Sequence, residues 1–76
     1  MSTKTALRQN GLAIRALRQK EGLTVDDLAQ AVGVTAPHIR NIENELRSAS
    51  EVHLARIAKA LDVPLAAIKF RRDEAA

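Results

Sequence analysis

The residues best suited to chemistry are not arranged for catalysis. The two histidines, His38 and His53, lie fifteen positions apart, and neither has a carboxylate at a spacing that would complete a zinc site. Ser2, Ser48 and Ser50 fall in a tail, a loop and a helix cap, with no general base placed to activate any of them. Gly11, Gly22 and Gly33 form no phosphate-cradling loop and read as helix punctuation. No enzyme, metal or cofactor follows from this inventory. One run is different: Ala36, Pro37, His38, Arg40, Asn41 and Asn44 alternate with Ile39 and Ile42. At helical spacing the isoleucines share one face, and the amide, guanidinium and imidazole groups lie on and beside the opposite one. Such a face recognises by hydrogen bonding and breaks no bonds.

That run needs a scaffold, and the preceding residues supply one. Thr24 is placed to cap a helix carrying Leu28, Ala29 and Val32, with Asp27 as the capping-box acid. Gly33 stops this helix in the left-handed conformation that glycine adopts without steric cost. Thr35 caps the next helix, about 36–44, and Pro37 lies in its first turn, where its missing N–H removes no ladder bond. Helix, short turn opened by glycine, helix is a helix-turn-helix pattern.

Further helices are expected around this pair. One spans about Asn10 to Glu21, with Ile14 and Leu17 inward. Another is capped by Ser50 and has a stripe of Leu54, Ile57, Ala58 and Leu61. A short fifth helix opens at Pro64, with Leu65 and Ile68 inward. The sequence divides into a flexible basic arm at 1–9, a folded domain at 10–70 and a mixed-charge tail at 71–76.

Length and composition set the class. Seventy-six residues make one small domain, and the absence of cysteine removes disulfides and thiolate metal sites. The hydrophobic fraction of 46% is nearly all aliphatic, with Phe70 the single aromatic. This suits an all-α bundle. No run is long enough to span a bilayer and no signal peptide is evident, so a cytoplasmic location is expected. The net charge is +3, but residues 1–20 carry Lys4, Arg8, Arg15, Arg18 and Lys20 with no acid. An arm of that kind can follow phosphates.

The ordered blocks Gly11-x-x-Ile14-Arg15-x-Leu17-Arg18, Gly22-Leu23-Thr24, Leu28-Ala29-x-x-Val32-Gly33-Val34-Thr35, Ile39-x-x-Ile42-Glu43 and Leu54-x-x-Ile57-Ala58-x-Ala60-Leu61-x-Val63 resemble the lambda-repressor-like (Cro/XRE-type) helix-turn-helix family. The resemblance runs from about Gly11 to Ile68. It implies a compact five-helix DNA-binding domain whose third helix enters the major groove of double-stranded DNA. The implied function is that of a small stand-alone transcriptional regulator, of repressor type, reading a near-palindromic operator as a homodimer. The alternative is an antitoxin-type or other protein-interaction module whose DNA binding is secondary.

Carried onto these positions, base contacts fall on Ala36, Pro37, His38, Arg40 and Asn41. Asn41 can pair bidentately with adenine, and Ala36 and Pro37 offer apolar surface to a thymine methyl. Arg40 suits either guanine or phosphate, and His38 either a DNA contact or plain exposure. Phosphate contacts fall on Thr24, Thr35, Asn44 and Arg47, with Arg18 as a further one. A salt bridge between Arg18 and Glu43 is implied, holding the recognition helix. Leu65, Ile68 and Phe70 are candidate dimer residues, although Ile68 serves equally to close the monomer core. Val25 and Ala36 stand where the family often has glutamine, which thins base readout and shifts weight to DNA shape. Glu45 stands where a glycine usually follows the third helix, which bears on the aim of Arg47.

Overall fold

The computed structural model describes residues 9–70. The other residues of the basic arm and tail, including Lys4, Arg8, Arg71 and Arg72, lie outside the described residues. Four α-helices follow in order: α1 (Gly11–Lys20), α2 (Val25–Val32), α3 (Ala36–Glu43) and α4 (Glu51–Leu61), ending in a 3-10 turn at Leu65–Ile68. Each α-helix begins at a side-chain cap. Asn10, Thr24, Thr35 and Ser50 accept hydrogen bonds from the N–H groups of Ala13, Asp27, His38 and His53, at 3.1, 3.0, 3.3 and 3.1 Å. Each such cap is worth about 0.5–2 kcal/mol. At Thr24 the box closes, because its own N–H donates to Asp27 Oδ2 at 2.9 Å. Gly33 ends α2 with φ of 90°, and Asp62 ends α4 with φ of 56°.

The caps set where helices start, and apolar stripes set how they pack. Ile14, Leu28, Ala29, Val32, Ile39, Ile42, Leu54, Ile57, Ala58 and Leu61 are buried together, joined by Ala49 and Ile68. α2 packs against both α3 and α4, and α1 lies against α3 and the 3-10 turn. From α4, the Arg56 guanidinium donates to Val32 O at 3.2 Å and so satisfies a carbonyl at the end of α2.

The expected fifth helix is a single 3-10 turn, which corrects the five-helix reading. Pro64 O accepts from Ala67 N–H at 2.9 Å, an i to i+3 bond. No room remains for a longer helix, because Lys69 is extended and forms an isolated antiparallel bridge with Gln9. Ile68 O accepts from Asn10 N–H at 2.7 Å at the same place. Gln9 therefore belongs to the folded unit rather than to the arm expected at 1–9, whose other residues lie outside the described ones.

Candidate nucleic-acid interface

α3 presents its outward side uncovered by the rest of the described chain. Ile39 and Ile42 point into the core, while Pro37, Arg40 and Asn44 are exposed and Asn41 is half-buried. Asn44 is the C-cap rather than the last helical residue, a shift within the ordinary blur of helix ends. Arg47 follows, exposed, on the loop between α3 and α4. Ala36 is less available than expected, because its methyl is half-buried and packed on the core.

His38 is also turned aside. Its ring meets that of His53 edge to face, with centroids 5.2 Å apart and planes at 87°. Burial, then the facing His53 and the nearby positive Arg47, hold its imidazole below the ordinary histidine value. The unfolded chain therefore binds this proton more readily than the folded one. The resulting stability is fully present above the ordinary value of 6.5 and fades as pH falls through the lowered one. Thermal melts taken across the weakly acid range should show this loss in the wild type and a smaller one in His38→Gln. Equal slopes in both would remove His38 as the source.

Behind α3, Arg18 and Glu43 form a buried ion pair. Arg18 Nε donates to Glu43 Oε2 at 2.7 Å and Nη2 to Oε1 at 3.2 Å, with side chains 10% and 5% exposed. Nη1 donates to Leu23 O at 2.8 Å, tying in the α1–α2 connection. This two-pronged geometry is the strong form of the interaction. It also corrects the expectation of Arg18 as a phosphate contact, because the guanidinium is buried and committed inside the protein. At the α2 N-terminus the capping box occupies Thr24, and the Asp26 and Asp27 carboxylates stand beside it. They compete with any anion there. The Thr24 backbone hydrogen bond, foremost, and its hydroxyl lower the Asp27 pKa.

Among the expected dimer residues, Ile68 is fully buried in the chain's own core, which removes it from any partner-facing surface. Leu65 is half-buried against that core and Phe70 is 47% exposed. Among the described residues, no group of three or more His, Asp or Glu is placed to hold a metal, and no helix is long and apolar enough to cross a membrane.

Of the supporting residues, Gln9 had no sequence signal, whereas Glu45 stands where the resemblance places a glycine and Gly11 opens the first of the resembling blocks. Gln9 lies in an aperiodic stretch, yet it is fully buried. Glu45 has φ of 60°, and its carboxylate accepts the Gly11 N–H at 2.8 Å. Gly11 is not punctuation. A Cβ there would overlap the Glu43 carbonyl, so the bare glycine lets α1 abut the end of α3.

Comparison with known proteins agrees with this geometry. The HTH_3 helix-turn-helix family matches residues 14–68. The restriction–modification controller protein C.AhdI from Aeromonas hydrophila is similar in structure, with TM-score 0.73 and 30% identity, over 75% of this chain and 86% of that one. The clp gene regulator ClgR from Corynebacterium glutamicum gives 0.72 and 30%, over 74% and 60%. The N-terminal DNA-binding domain of SinR from Bacillus subtilis gives 0.69 and 28%, over 74% and 83%. A structure of SinR in complex with DNA also matches, at TM-score 0.69 and 28% identity, over 74% and 90%. No match was found among curated proteins. The match over residues 14–68, on a fold whose second and third helices form the expected pair, places this chain in the Cro/C1-type helix-turn-helix family.

Proposed function

We propose that this protein binds double-stranded DNA sequence-specifically and regulates transcription, with α3 in the major groove. The observation that carries this reading is the open side of α3. Pro37, Arg40 and Asn44 are exposed there beside half-buried Asn41, and the opposite side is anchored by Ile39, Ile42 and the Arg18–Glu43 pair. A rigid helix with a free polar side is what direct readout requires. The structurally similar SinR, seen in complex with DNA, supports the same reading.

Asn41 and Arg40 are the base readers under this proposal, with Pro37 supplying apolar contact and Ala36 and His38 secondary. Arg47, Asn44 and Thr35 take phosphates. Thr24 is the weakest phosphate position, because Asp26 and Asp27 crowd it. The protein acts as a homodimer on a near-palindromic operator, since one module of this size makes a small DNA interface and two-fold pairing doubles it. Exposed Phe70 belongs to the pairing surface, with half-buried Leu65 at its edge. Repression is the proposed outcome.

Selection of duplexes from a random-sequence pool tests the proposal. A recovered consensus is expected, with binding that weakens with salt at a slope of about −0.9 per phosphate contact. No retarded duplex at low salt would overturn it. Asn41→Ala should then weaken one operator position by about 1–3 kcal/mol. Uniform weakening across all sequences would show that Asn41 does not read a base.

A further inference from the structure

We propose that Gln9 is a positioning residue for DNA binding: its side-chain amide holds the α3–α4 loop so that Arg47 meets the phosphate backbone. This rests on the DNA-binding reading above and adds to it a residue lying outside the helix-turn-helix.

The Gln9 side chain is completely buried and spends its amide on one loop. Nε2 donates to Arg47 O at 2.6 Å and to Ile42 O at 3.3 Å. Oε1 accepts from Ala49 N–H at 3.1 Å. One side chain thus joins the last turn of α3 to both ends of the segment 47–49. Its own backbone is held from behind by the bridge to Lys69 and the Asn10–Ile68 hydrogen bond. Elsewhere the loop is held at its two ends, by the Glu45 carboxylate on Gly11 N–H at 2.8 Å and by the burial of Ala49 in the core. Glu45 N–H and Leu46 N–H return to Ile42 O and Asn41 O at 3.1 and 2.8 Å. From Arg47 to Ala49, the backbone hydrogen bonds among the described residues are those to Gln9.

The chemistry selects an amide. The site offers the Arg47 carbonyl and the Ala49 N–H, whose partner among the described residues is Gln9, and a second lone pair on the Ile42 carbonyl, which already accepts from Glu45 N–H at 3.1 Å. A glutamine side chain meets all three, a glutamate lacks the donors, and an asparagine is one methylene short. Arg47 itself is exposed, so its side chain is free while its backbone is pinned. A loop fixed in advance spares the cost of ordering it on the DNA.

The test is a double-mutant cycle on the full chain, using a duplex recovered by the wild type from a random pool. Kd is measured against salt for the wild type, Gln9→Ala, Arg47→Ala and the double variant, each first shown to be folded by its thermal melt. Arg47→Ala should flatten the salt slope by about 0.9, the loss of one phosphate contact. Gln9→Ala should flatten it equally although residue 9 carries no charge, and the double variant should be no flatter than either. Should Gln9→Ala not fold, Gln9→Asn takes its place with the same expectation. Simple destabilisation would weaken binding at every salt concentration and leave the slope alone. A wild-type slope in the Gln9 variants overturns the proposal, as does a further flattening when Arg47→Ala is added, or an unchanged slope in Arg47→Ala itself. A wild type that binds no duplex at low salt overturns the DNA-binding reading and this proposal with it.

Discussion

Glu43→Ala is expected to lower the unfolding free energy by about 3–5 kcal/mol, the cost of stranding one member of a buried ion pair. Arg18 is 8% exposed, and without the carboxylate its guanidinium keeps one partner, the Leu23 carbonyl. Natural domains hold roughly 0.05–0.15 kcal/mol per residue, so a chain of this length has little to spare. Urea titration should show a lower midpoint at unchanged m-value. A loss below about 1 kcal/mol would place the pair with ordinary surface salt bridges. Replacing both partners by apolar residues, Arg18→Met with Glu43→Leu, should by contrast be close to neutral in stability, because no buried charge is left over. The same double variant isolates the second role of the pair. If the fork between α1 and α3 sets the attitude of the recognition helix, DNA affinity falls in a protein whose stability has not.

Gly11→Ala is expected to destabilise by about 1–3 kcal/mol, through overpacking against a backbone atom. The sign is the diagnostic. In an unobstructed helix, glycine to alanine gains roughly 0.5–1 kcal/mol. Here the new methyl would land on the Glu43 carbonyl oxygen, with the Ile42 carbonyl close behind, and neither is a flexible side-chain end that can swing aside. Relief requires α1 to back away from α3, which also strains the Glu45–Gly11 hydrogen bond and the Gln9 contacts. Denaturant midpoints for the two proteins decide it. A stabilised Gly11→Ala would mean that α1 and α3 are not in contact at this point.

These two residues show how far the sequence carries. The Arg18–Glu43 pair is legible in the sequence through the family resemblance. Gly11 opens the first of the blocks that carry the resemblance and reads locally as helix punctuation; its close approach to α3 has no local signature. The outward side of α3 followed from the spacing of Ile39 and Ile42, whereas the turning of Ala36 toward the core and of His38 toward His53 did not. A 3.6-residue period fixes which side of a helix faces inward. It does not say which neighbour leans over the edge of that side.

The sequence alone determined the four α-helices, the caps at Thr24, Thr35 and Ser50, the glycine turn before α3 and the buried stripes. Each depends on residues within about four positions of one another, where capping bonds and helical periodicity act. Tertiary structure decided the 3-10 turn at Leu65–Ile68, the burial of Ile68, the folding-in of Gln9 and the route by which the α3–α4 loop is held. Gln9 finds its partners 33, 38 and 40 positions away. Hydrogen bonds across such separations exist only once the chain has closed on itself, so no local pattern marks them.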